Sequence, residues 1–351
     1  MSISIGAGRM AGRVLSLLAC SCVLLSVVPA SAADVRVGLA NTSSDVAFFI
    51  ADKKKYFLEE GVSVTFTPFD TGSKMIAPLS TGQLDVGAAA PSSALYNAVA
   101  RGVDLRIVAD KGQTPPGYGY QPLLVRKDLW DSGKVRTLAD LKGRKIAAGG
   151  VGISTSVTLN EALVKGGLTS TDVSTVTMGY PQHMIALQNG AVDASLTVEP
   201  TATLAVNGGI AVRMMGDDEI YPYHQLSVVF FSADFIKKRP KEAKGFIRAY
   251  IRAVRDYNDA LRDGRLSGPH AEEIISILTE YSVIKDAAVL RAMISHGYDP
   301  DARLNVASLR KDLDFFRSQG LIQGEVSIET VVDSSIVEGA LAELGPHKKS
   351  Q

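Results

Sequence analysis

Short apolar runs alternate with helical patterns along the first third of the chain. Val35–Leu39 alternates apolar and polar residues, which is typical of a half-buried strand. The elements predicted after it are a helix over 46–58, a strand over 62–67, a helix over 73–80, a strand over 84–89, a helix over 92–101 and a strand over 105–109. Strands that alternate with helices of this length predict a parallel α/β sheet.

A second alternating series follows a short capped helix that ends at Gly143. A strand over 145–148 leads into the glycine-rich stretch Gly149–Gly152. The remaining predicted elements of this series are a helix over 154–165, a strand over 174–178, a helix over 182–188 and a strand over 191–197. From Arg239 onward the pattern predicts helices alone, and the clearest of them carries apolar residues from Phe246 to Leu261 at a 3.6-residue period.

The two series share a faint internal repeat. Leu79–Asp85 aligns without gaps onto Leu187–Asp193, and each segment reads as a helix that ends on glycine, a tight turn and the start of a strand. The repeat predicts two similar lobes, although turns of this composition also arise by chance.

Two strand-like segments flank the second series, Gln121–Val125 and Leu226–Phe231. We expect the chain to cross between lobes at these two strands and so to form a hinge. The predicted fold class is α/β with two lobes. The predicted domains are a signal peptide over 1–32, a discontinuous first lobe over 33–120 and 232–351, and a second lobe with the hinge strands over 121–231.

The first residues are typical of an export signal. Arg9 and Arg13 precede an apolar run that ends at Val28, and the small-residue site Ala30–Ala32 follows. The run is shorter than the roughly 20 residues that span a bilayer. We therefore expect cleavage after Ala32 and a periplasmic protein. Two alternatives stay open, namely a retained membrane anchor and a lipoprotein acylated at Cys20.

Composition narrows the function further. Both cysteines, Cys20 and Cys22, fall inside the predicted leader, so disulfides, thiolate metal sites and a cysteine nucleophile are not expected in the mature protein. The formal net charge is +0, so no basic excess favours nucleic acid or lipid as a partner. We expect a monomer without a cofactor or a metal.

Three motifs in order resemble a known family. They are Phe48–Val62, with its Tyr56-Phe57 and Glu60-Gly61 pairs, Leu138–Ile146 with the sequence LADLKGRKI, and Ala191–Pro200 with the sequence AVDASLTVEP. They resemble the nitrate, taurine and aliphatic-sulfonate binding proteins of the NMT1-like branch of ABC-transporter solute-binding proteins. Lys55 departs from the pattern, because the family usually has glycine there. We expect Lys55 on an exposed helix turn, away from function.

The resemblance implies a type II periplasmic binding fold, with two lobes that close on a small organic solute and deliver it to an ABC permease. It does not fix the solute. One alternative is a thiamine-pyrimidine biosynthetic enzyme of the same fold, which the position of both cysteines in the leader disfavours. Another is a sensory binding protein that presents its ligand to a membrane receptor.

Ligands of open α/β sheets bind beyond the carboxyl ends of the strands. This rule selects the candidate ligand-binding residues without reference to the family. In the first lobe they are Asn41, Ser44, Asp45, Thr71, Ser73, Ser92 and Gln113. In the second lobe they are Gly152, Ser154, Thr155, Ser156, Tyr180 and Glu199.

Each candidate also has a purely structural interpretation. The loop before Ser154 suits an anion or a carbonyl oxygen, but Ser154 or Thr155 would serve equally as a helix cap. Ser92 is a possible cap as well, and Tyr180 either stacks on a planar ligand or packs against Pro181. His183 and His224 are expected to be core or solvated histidines, because no cluster of further metal ligands surrounds them in the sequence.

The charges among these candidates favour one class of ligand. Asp45 and Glu199 are both acidic, and none of the thirteen candidates is basic. Two carboxylates in a partly desolvated cleft predict an amino-bearing or donor-rich heterocyclic ligand, with inorganic anions repelled. The alternative is that Asp45 only caps its helix and Glu199 only pairs with a hydroxyl or a backbone N–H.

Overall fold

The computed structural model describes Met1, residues 32–40 and residues 42–348. The strands are β1 Ala33–Leu39, β2 Val62–Pro68, β3 Val86–Ala89, β4 Leu105–Gln113, β5 Leu123–Arg126, β6 Lys145–Ala148, β7 Ser174–Thr177, β8 Ala194–Leu196, β9 Ala211–Met215, β10 Gln225–Ser232, β11 Leu261–Arg262 and β12 Arg265–Leu266. The predicted leader up to Ser31, with both cysteines, and Asn41 lie outside the described residues.

The α-helices alternate with these strands in the first two thirds of the chain and dominate the last third. They are α1 Val46–Lys53, α2 Tyr56–Glu59, α3 Ile76–Ser80, α4 Ser93–Ala100, α5 Lys127–Asp131, α6 Ser154–Lys165, α7 Tyr180–Gln188, α8 Thr201–Asn207, α9 Asp217–Ile220, α10 Ala233–Lys238, α11 Pro240–Asp259, α12 Ala271–Tyr281, α13 Ala287–Ala292, α14 Val306–Ser318, α15 Ile328–Val331 and α16 Ser335–Leu344. Among the described residues, no helix is both long and apolar enough to cross a membrane.

Two five-stranded sheets share one strand pattern. Sheet 1 has the order β2-β1-β3-β10-β4, and sheet 2 has the order β7-β6-β8-β5-β9. In each, the first three strands of the order pair in parallel, and the fourth strand pairs antiparallel with both of its neighbours. We call each sheet with the helices packed on it lobe 1 and lobe 2. The expected two-lobed α/β fold is confirmed.

The internal repeat predicted from the sequence has a structural counterpart. Asp85, which precedes β3, accepts a hydrogen bond from the Arg36 backbone N–H at 2.9 Å. Asp193, which precedes β8, accepts the equivalent bond from the Lys145 backbone N–H at 3.0 Å. Each aspartate therefore ties its own strand to the neighbouring strand in the same way. Gly82 and Gly190 take positive φ angles of 71° and 74° in the matching turns, where glycine costs least.

The crossings between lobes lie elsewhere than expected. Leu226–Phe231 belongs to β10, which pairs with β3 and β4 inside sheet 1, so its assignment to the second lobe as a hinge strand is wrong. Its fully buried, continuous apolar run suits a central strand of a sheet. The chain instead crosses through the segments 114–122 and 216–224, the second of which contains α9. These segments are joined by hydrogen bonds, among them one from the Tyr223 N–H to the Thr114 carbonyl at 2.8 Å.

Lys55 interrupts the helix that was predicted over 46–58. It takes a left-handed conformation with φ of 63°, so α1 ends before it and α2 begins after it. An L-residue is strained in this region, whereas glycine is not. The expectation of a plain helix turn at Lys55 is therefore wrong, and the conformation explains why the related motif has glycine at this place.

The last third of the chain packs mainly on lobe 1. Helix α11 contacts α1 and α16, and α15 and α16 contact β4, which places the C-terminal helices against sheet 1 as expected. The hairpin of β11 and β12 interrupts what the sequence predicted as helices alone. Helix α14 also contacts α4 and α6, so it bridges the two lobes on the side where the chain crosses.

Candidate functional site

A cavity of about 980 Å³ lies between the two lobes. Its walls are formed by the loops that follow the strands of both sheets and by the crossing segment at Tyr120–Gln121. This is the edge at which open α/β sheets bind ligands. The volume lies at the upper end of the range of small-molecule sites, roughly 300–1,000 Å³.

The structure brings seven of the thirteen predicted residues to this cavity. They are Ser44, Thr71, Ser73, Ser92, Ser154, Thr155 and Tyr180. Five others do not line it, namely Asp45, Gln113, Gly152, Ser156 and Glu199. Asn41 lies outside the described residues. That the seven residues contact a ligand stays a prediction.

Asp45 is held by a buried lysine beneath the cavity wall. Lys111 Nζ lies 2.9 Å from Asp45 Oδ1, and the two side chains are 1% and 0% exposed. The same ammonium donates to Ser44 Oγ at 2.6 Å, and Lys111 itself lines the cavity. The other Asp45 oxygen accepts from the Thr42 backbone N–H at 2.8 Å, so Asp45 does cap its turn. Asp45 is therefore a partner of Lys111 and not a free carboxylate at the cleft.

Glu199 is also satisfied within the protein. Its Oε2 accepts from the Thr203 backbone N–H at 2.9 Å, and Oε1 lies 3.4 Å from both Arg213 Nη1 and the Ile294 backbone N. Its side chain is fully buried and does not line the cavity. The expectation that Asp45 and Glu199 face the ligand as two uncompensated carboxylates is wrong, because a cation pairs with each of them.

Three helices of at least two turns begin at the cavity. Ser92 caps α4, Ser154 and Thr155 open α6, and Tyr180 opens α7, and all four residues line the space. The first backbone N–H groups of a helix have no partner within it and carry partial positive charge. Asp70 is the acidic residue among the lining side chains, and it is exposed and paired with Lys74. The N–H groups of Ser93 and Leu95 are already bonded within the protein. Because Asp45 balances the charge of Lys111, the positive charge that remains at the cavity is the partial charge of these helix starts.

One of the three hydroxyl residues at the starts of α4 and α6 caps its helix, and the other two bond elsewhere. Ser92 Oγ accepts from the Leu95 N–H at 3.2 Å, which is the predicted capping bond. Ser154 instead donates to the Leu226 carbonyl at 3.0 Å and so links lobe 2 to β10 of lobe 1. Thr155 bonds Gln121 and the Tyr180 hydroxyl, each at 2.9 Å. Capping by Ser154 or Thr155 is therefore not observed, and α6 begins without a side-chain cap.

The glycine-rich loop touches the opposite lobe directly. The Ser93 N–H donates to the Gly152 carbonyl at 2.8 Å, and Ser92 and Ile153 form an isolated antiparallel bridge. Gly152 has φ of 69°, and a Cβ there would collide with Ser93 Oγ. Gly152 is thus required for close approach of the lobes, while Gly149, Gly150 and Val151 of the same loop line the cavity.

Both predicted core histidines have internal partners. His183 bonds Ser195 Oγ at 2.7 Å and the Met178 carbonyl at 3.2 Å, and burial lowers its pKa. His224 bonds Asp312 at 2.8 Å and Thr158 at 3.1 Å, which ties the crossing segment to α14 and α6. Burial raises the pKa of Asp312. The core interpretation is confirmed for both histidines. Among the described residues, no group of three or more potential ligands is arranged to hold a metal ion.

Sequence reasoning missed eight polar residues that line the cavity. They are Thr42, Asp70, Lys111, Tyr120, Gln121, Thr177, Ser227 and His296. Lys111 was missed because β4 was predicted to end at residue 109 and in fact continues to Gln113. Extending that strand by one alternation would have placed Lys111 at its carboxyl end. His296 lies in a loop without periodicity, and its sequence carries no signal that would have identified it.

Comparison with known proteins agrees with this architecture. A family model described as NMT1-like matches residues 29–263. The periplasmic nitrate-binding protein NrtA from Synechocystis PCC 6803 is 16% identical with a TM-score of 0.72, covering 89% of each chain. The alkanesulfonate-binding protein SsuA from Xanthomonas axonopodis pv. citri, bound to MOPS, is 22% identical with a TM-score of 0.64, covering 86% of this chain and 98% of that one.

The same fold also occurs in an enzyme. The desulfurization enzyme DSZB is 16% identical with a TM-score of 0.59, covering 89% of this chain and 99% of that one. A search of curated proteins found no match. At these identities the likeness to solved structures shows the fold, so the function has to be argued from the cavity itself.

Proposed function

The chain belongs to the NMT1-like family, and on that premise we propose that it is the periplasmic solute-binding component of an ABC import system. It captures a small organic anion between its lobes and delivers it to a membrane permease. The lobes close by rotation about the two crossing segments, 114–122 and 216–224. The nitrate-binding and alkanesulfonate-binding names of its structural neighbours support this role.

The observation that carries the proposal is the charge balance of the inter-lobe cavity. Lys111 lies at its wall, and three helix N-termini open onto it. Asp45 balances the charge of Lys111, so the positive charge that remains for a ligand is the partial charge of the helix N-termini. Helix N-termini with a nearby cation bind carboxylate, sulfonate or phosphate groups. The sequence-based expectation of an amino-bearing ligand is no longer supported, since the two protein carboxylates on which it depended, Asp45 and Glu199, already have cationic partners.

The cavity also has room and apolar surface for an organic body. Phe69, Val151, Ile153, Met178 and Leu226 contribute to its walls. Burial of apolar ligand surface against such walls contributes roughly 25 cal/mol per Å². A bare inorganic anion would leave these walls without a partner. The solute is therefore an organic acid and not nitrate or sulfate.

A binding role fits the cavity better than catalysis. Ser44 is the hydroxyl that most resembles a nucleophile, because it lies 2.6 Å from Lys111 Nζ. A general base must accept the proton of the hydroxyl. The Lys111 ammonium is instead paired with Asp45 and donates to Ser44, so Ser44 is not activated. The protein is expected to release its solute unchanged.

Export is part of the proposal. Cleavage after Ala32 would leave a mature chain that begins at Ala33, the first residue of β1. N-terminal sequencing of the secreted protein tests this directly. A chain that begins at an acylated Cys20 would make the protein a lipoprotein and contradict the cleavage site. Size-exclusion chromatography tests the expected monomer.

A thermal-shift screen tests the binding function. The panel contains aliphatic and aromatic carboxylates and sulfonates, and a ligand that binds only the native state raises the melting temperature. Ala90→Trp should abolish the shift, because Ala90 lines the cavity and the indole would fill it. Leu58→Trp is the control, since Leu58 is half exposed and does not line the cavity. Mass spectrometry of the recovered ligand should show it unchanged, and a chemically altered ligand would contradict the binding role.

A further inference from the structure

His296 is the one histidine among the described residues that lines the inter-lobe cavity. It lies beyond the stretch 29–263 that the family model matches. Its loop pairs with the end of β4, where Gln113 and Gly297 exchange two backbone hydrogen bonds of 2.8 and 3.0 Å. This pairing places the imidazole beside Gly112 and Lys111, at the wall of the cavity. A segment outside the matched region therefore shapes the binding site.

The imidazole is buried without a hydrogen-bond partner. His296 is 1% exposed, and neither Nδ1 nor Nε2 has a partner among the described residues. Tyr120, Tyr257 and Tyr298 surround the ring, with centroid distances of 5.4, 5.4 and 4.8 Å. Buried polar groups are nearly always satisfied, so two unsatisfied ring nitrogens at a cavity wall point to a partner that enters the cavity.

The protonation state of His296 defines what that partner is. Burial, with a further contribution from the nearby Lys111 charge, lowers its pKa to about 3. The ring is therefore neutral in any ordinary compartment. A neutral imidazole offers one N–H donor and one nitrogen acceptor. A neutral ring does not attract an anion by charge. The anionic group of the solute instead binds at Lys111 and the helix N-termini.

Gln121, on the crossing segment 114–122, also has a buried polar atom without a hydrogen-bond partner. Its side chain is 3% exposed and lines the cavity. Its Nε2 donates to Thr155 Oγ1 at 2.9 Å, while Oε1 has no partner among the described residues. An amide oxygen without a partner accepts a hydrogen bond from a donor. Two uncharged, unsatisfied groups thus line the same cavity.

We propose that the solute carries, besides its anionic group, an uncharged hydrogen-bonding group such as a hydroxyl, an amide or a ring N–H, and that His296 recognises it. This inference rests on the proposed binding of an organic anion in the cavity and names the solute class more closely. Gln121 supplies a second acceptor for the same group. His296 is accordingly a specificity-determining residue, and acids without such a group leave its nitrogens unsatisfied in the closed protein.

Matched pairs of ligands test the inference. Calorimetric titrations compare carboxylates and sulfonates that differ only by one hydroxyl or amide, for example benzoate against its 3- and 4-hydroxy derivatives. The wild-type protein should prefer one polar member by about tenfold or more, because a site built to bond a hydroxyl rejects the analogue that lacks it. His296→Phe should reduce this preference to about twofold or less, by weakening binding of the polar member.

His183→Phe is the matched control. His183 is equally buried, but both of its ring nitrogens are bonded inside lobe 2 and it does not line the cavity. This variant should keep the wild-type preference for the polar ligand, even if the substitution lowers its stability. Equal binding of both members of every pair by the wild type, or an unchanged preference in His296→Phe, would overturn the inference. Absence of binding by every acid in the panel would overturn the proposed function itself, and the inference with it.

A spectroscopic measurement keeps the test independent of mutant folding. In wild-type protein labelled with ¹⁵N-histidine, the ring-nitrogen resonances of His296 should shift when the preferred acid binds, while those of His183 stay in place. Unchanged His296 resonances at saturation would show that the ring does not bond the ligand. That result would overturn the proposed recognition of the solute by His296.

Discussion

Lys111 Nζ and Asp45 Oδ1 lie 2.9 Å apart, and both side chains are closed to solvent. The pair joins the end of β4 to the turn after β1, at the wall of the cavity. The pair determines the charge at the cavity wall, because the Lys111 ammonium and the Asp45 carboxylate balance each other there. Asp45, which the sequence marked as an attraction for cationic ligands, is thus neutralised by Lys111.

Asp45→Asn should lower the free energy of unfolding by about 3–5 kcal/mol, because it leaves the Lys111 charge buried without a counter-ion. The double variant Asp45→Asn with Lys111→Met should regain most of that stability, since it removes both charges. Urea unfolding of the two variants and the wild type measures the difference. A loss below about 1 kcal/mol in the single variant would show that the pair is not a buried ion pair.

Lys55→Gly should raise the free energy of unfolding by about 1 kcal/mol, because glycine relieves the left-handed backbone at this position. Lys53→Gly is the control. Lys53 lies in the last turn of α1, and glycine inside a helix costs about 0.5–1 kcal/mol. Equal destabilisation by both substitutions would mean that residue 55 is not left-handed in solution.

Asp217 should make stability depend on pH. Burial raises its pKa to about 7, with added repulsion from Asp218, and the Gln121 backbone, His224 and Arg213 offset this only in part. The folded protein therefore holds a proton on this carboxyl that the unfolded chain has released. Stability from this group is present at low pH and is lost as pH rises from about 4 to about 7, at roughly 1.4 kcal/mol per pH unit.

Asp217→Asn removes that slope. The variant should gain stability relative to the wild type as pH rises through this window, and the gain should level off above a pH of about 7. Urea unfolding across the pH range gives the two curves. Parallel curves for wild type and variant would contradict the raised pKa of Asp217.

The sequence was sufficient to predict the two alternating lobes, the repeat around Asp85 and Asp193, and most hydroxyl residues at the cavity. These features depend on local pattern, turn glycines and the strand-end rule. The partners of Asp45 and Glu199 were not predictable in this way. Lys111 lies far along the chain from Asp45. Arg213 is closer in sequence to Glu199, but it lies on β9 beyond helix α8, and the fold has to bring the two together.

The crossings were misplaced for a related reason. Leu226–Phe231 has the composition of any buried strand, and its sequence does not show which sheet it joins. Pairing with β3 and β4 decides that question. His296 was missed because a loop residue without periodicity acquires its role only from the strand end against which it packs.

The central claim is that the inter-lobe cavity binds an organic anion, and calorimetric titration tests it most directly. The wild type, the double variant Asp45→Asn with Lys111→Met, and Glu199→Gln are each titrated with benzoate and benzenesulfonate, their polar derivatives, and benzamidine as the cation of matched shape. Glu199→Gln is the control, because Glu199 is buried away from the cavity and bonded inside the protein.

The wild type should bind at least one of the acids and not benzamidine. The double variant Asp45→Asn with Lys111→Met should weaken binding of that acid by about tenfold or more, since a charge-assisted contact with Lys111 is lost. Glu199→Gln should change its affinity by no more than about threefold, because a contact that the ligand does not make contributes little to binding. Tighter binding of benzamidine than of any acid, weakened by Glu199→Gln and unaffected by the double variant, would contradict anion binding in the cavity.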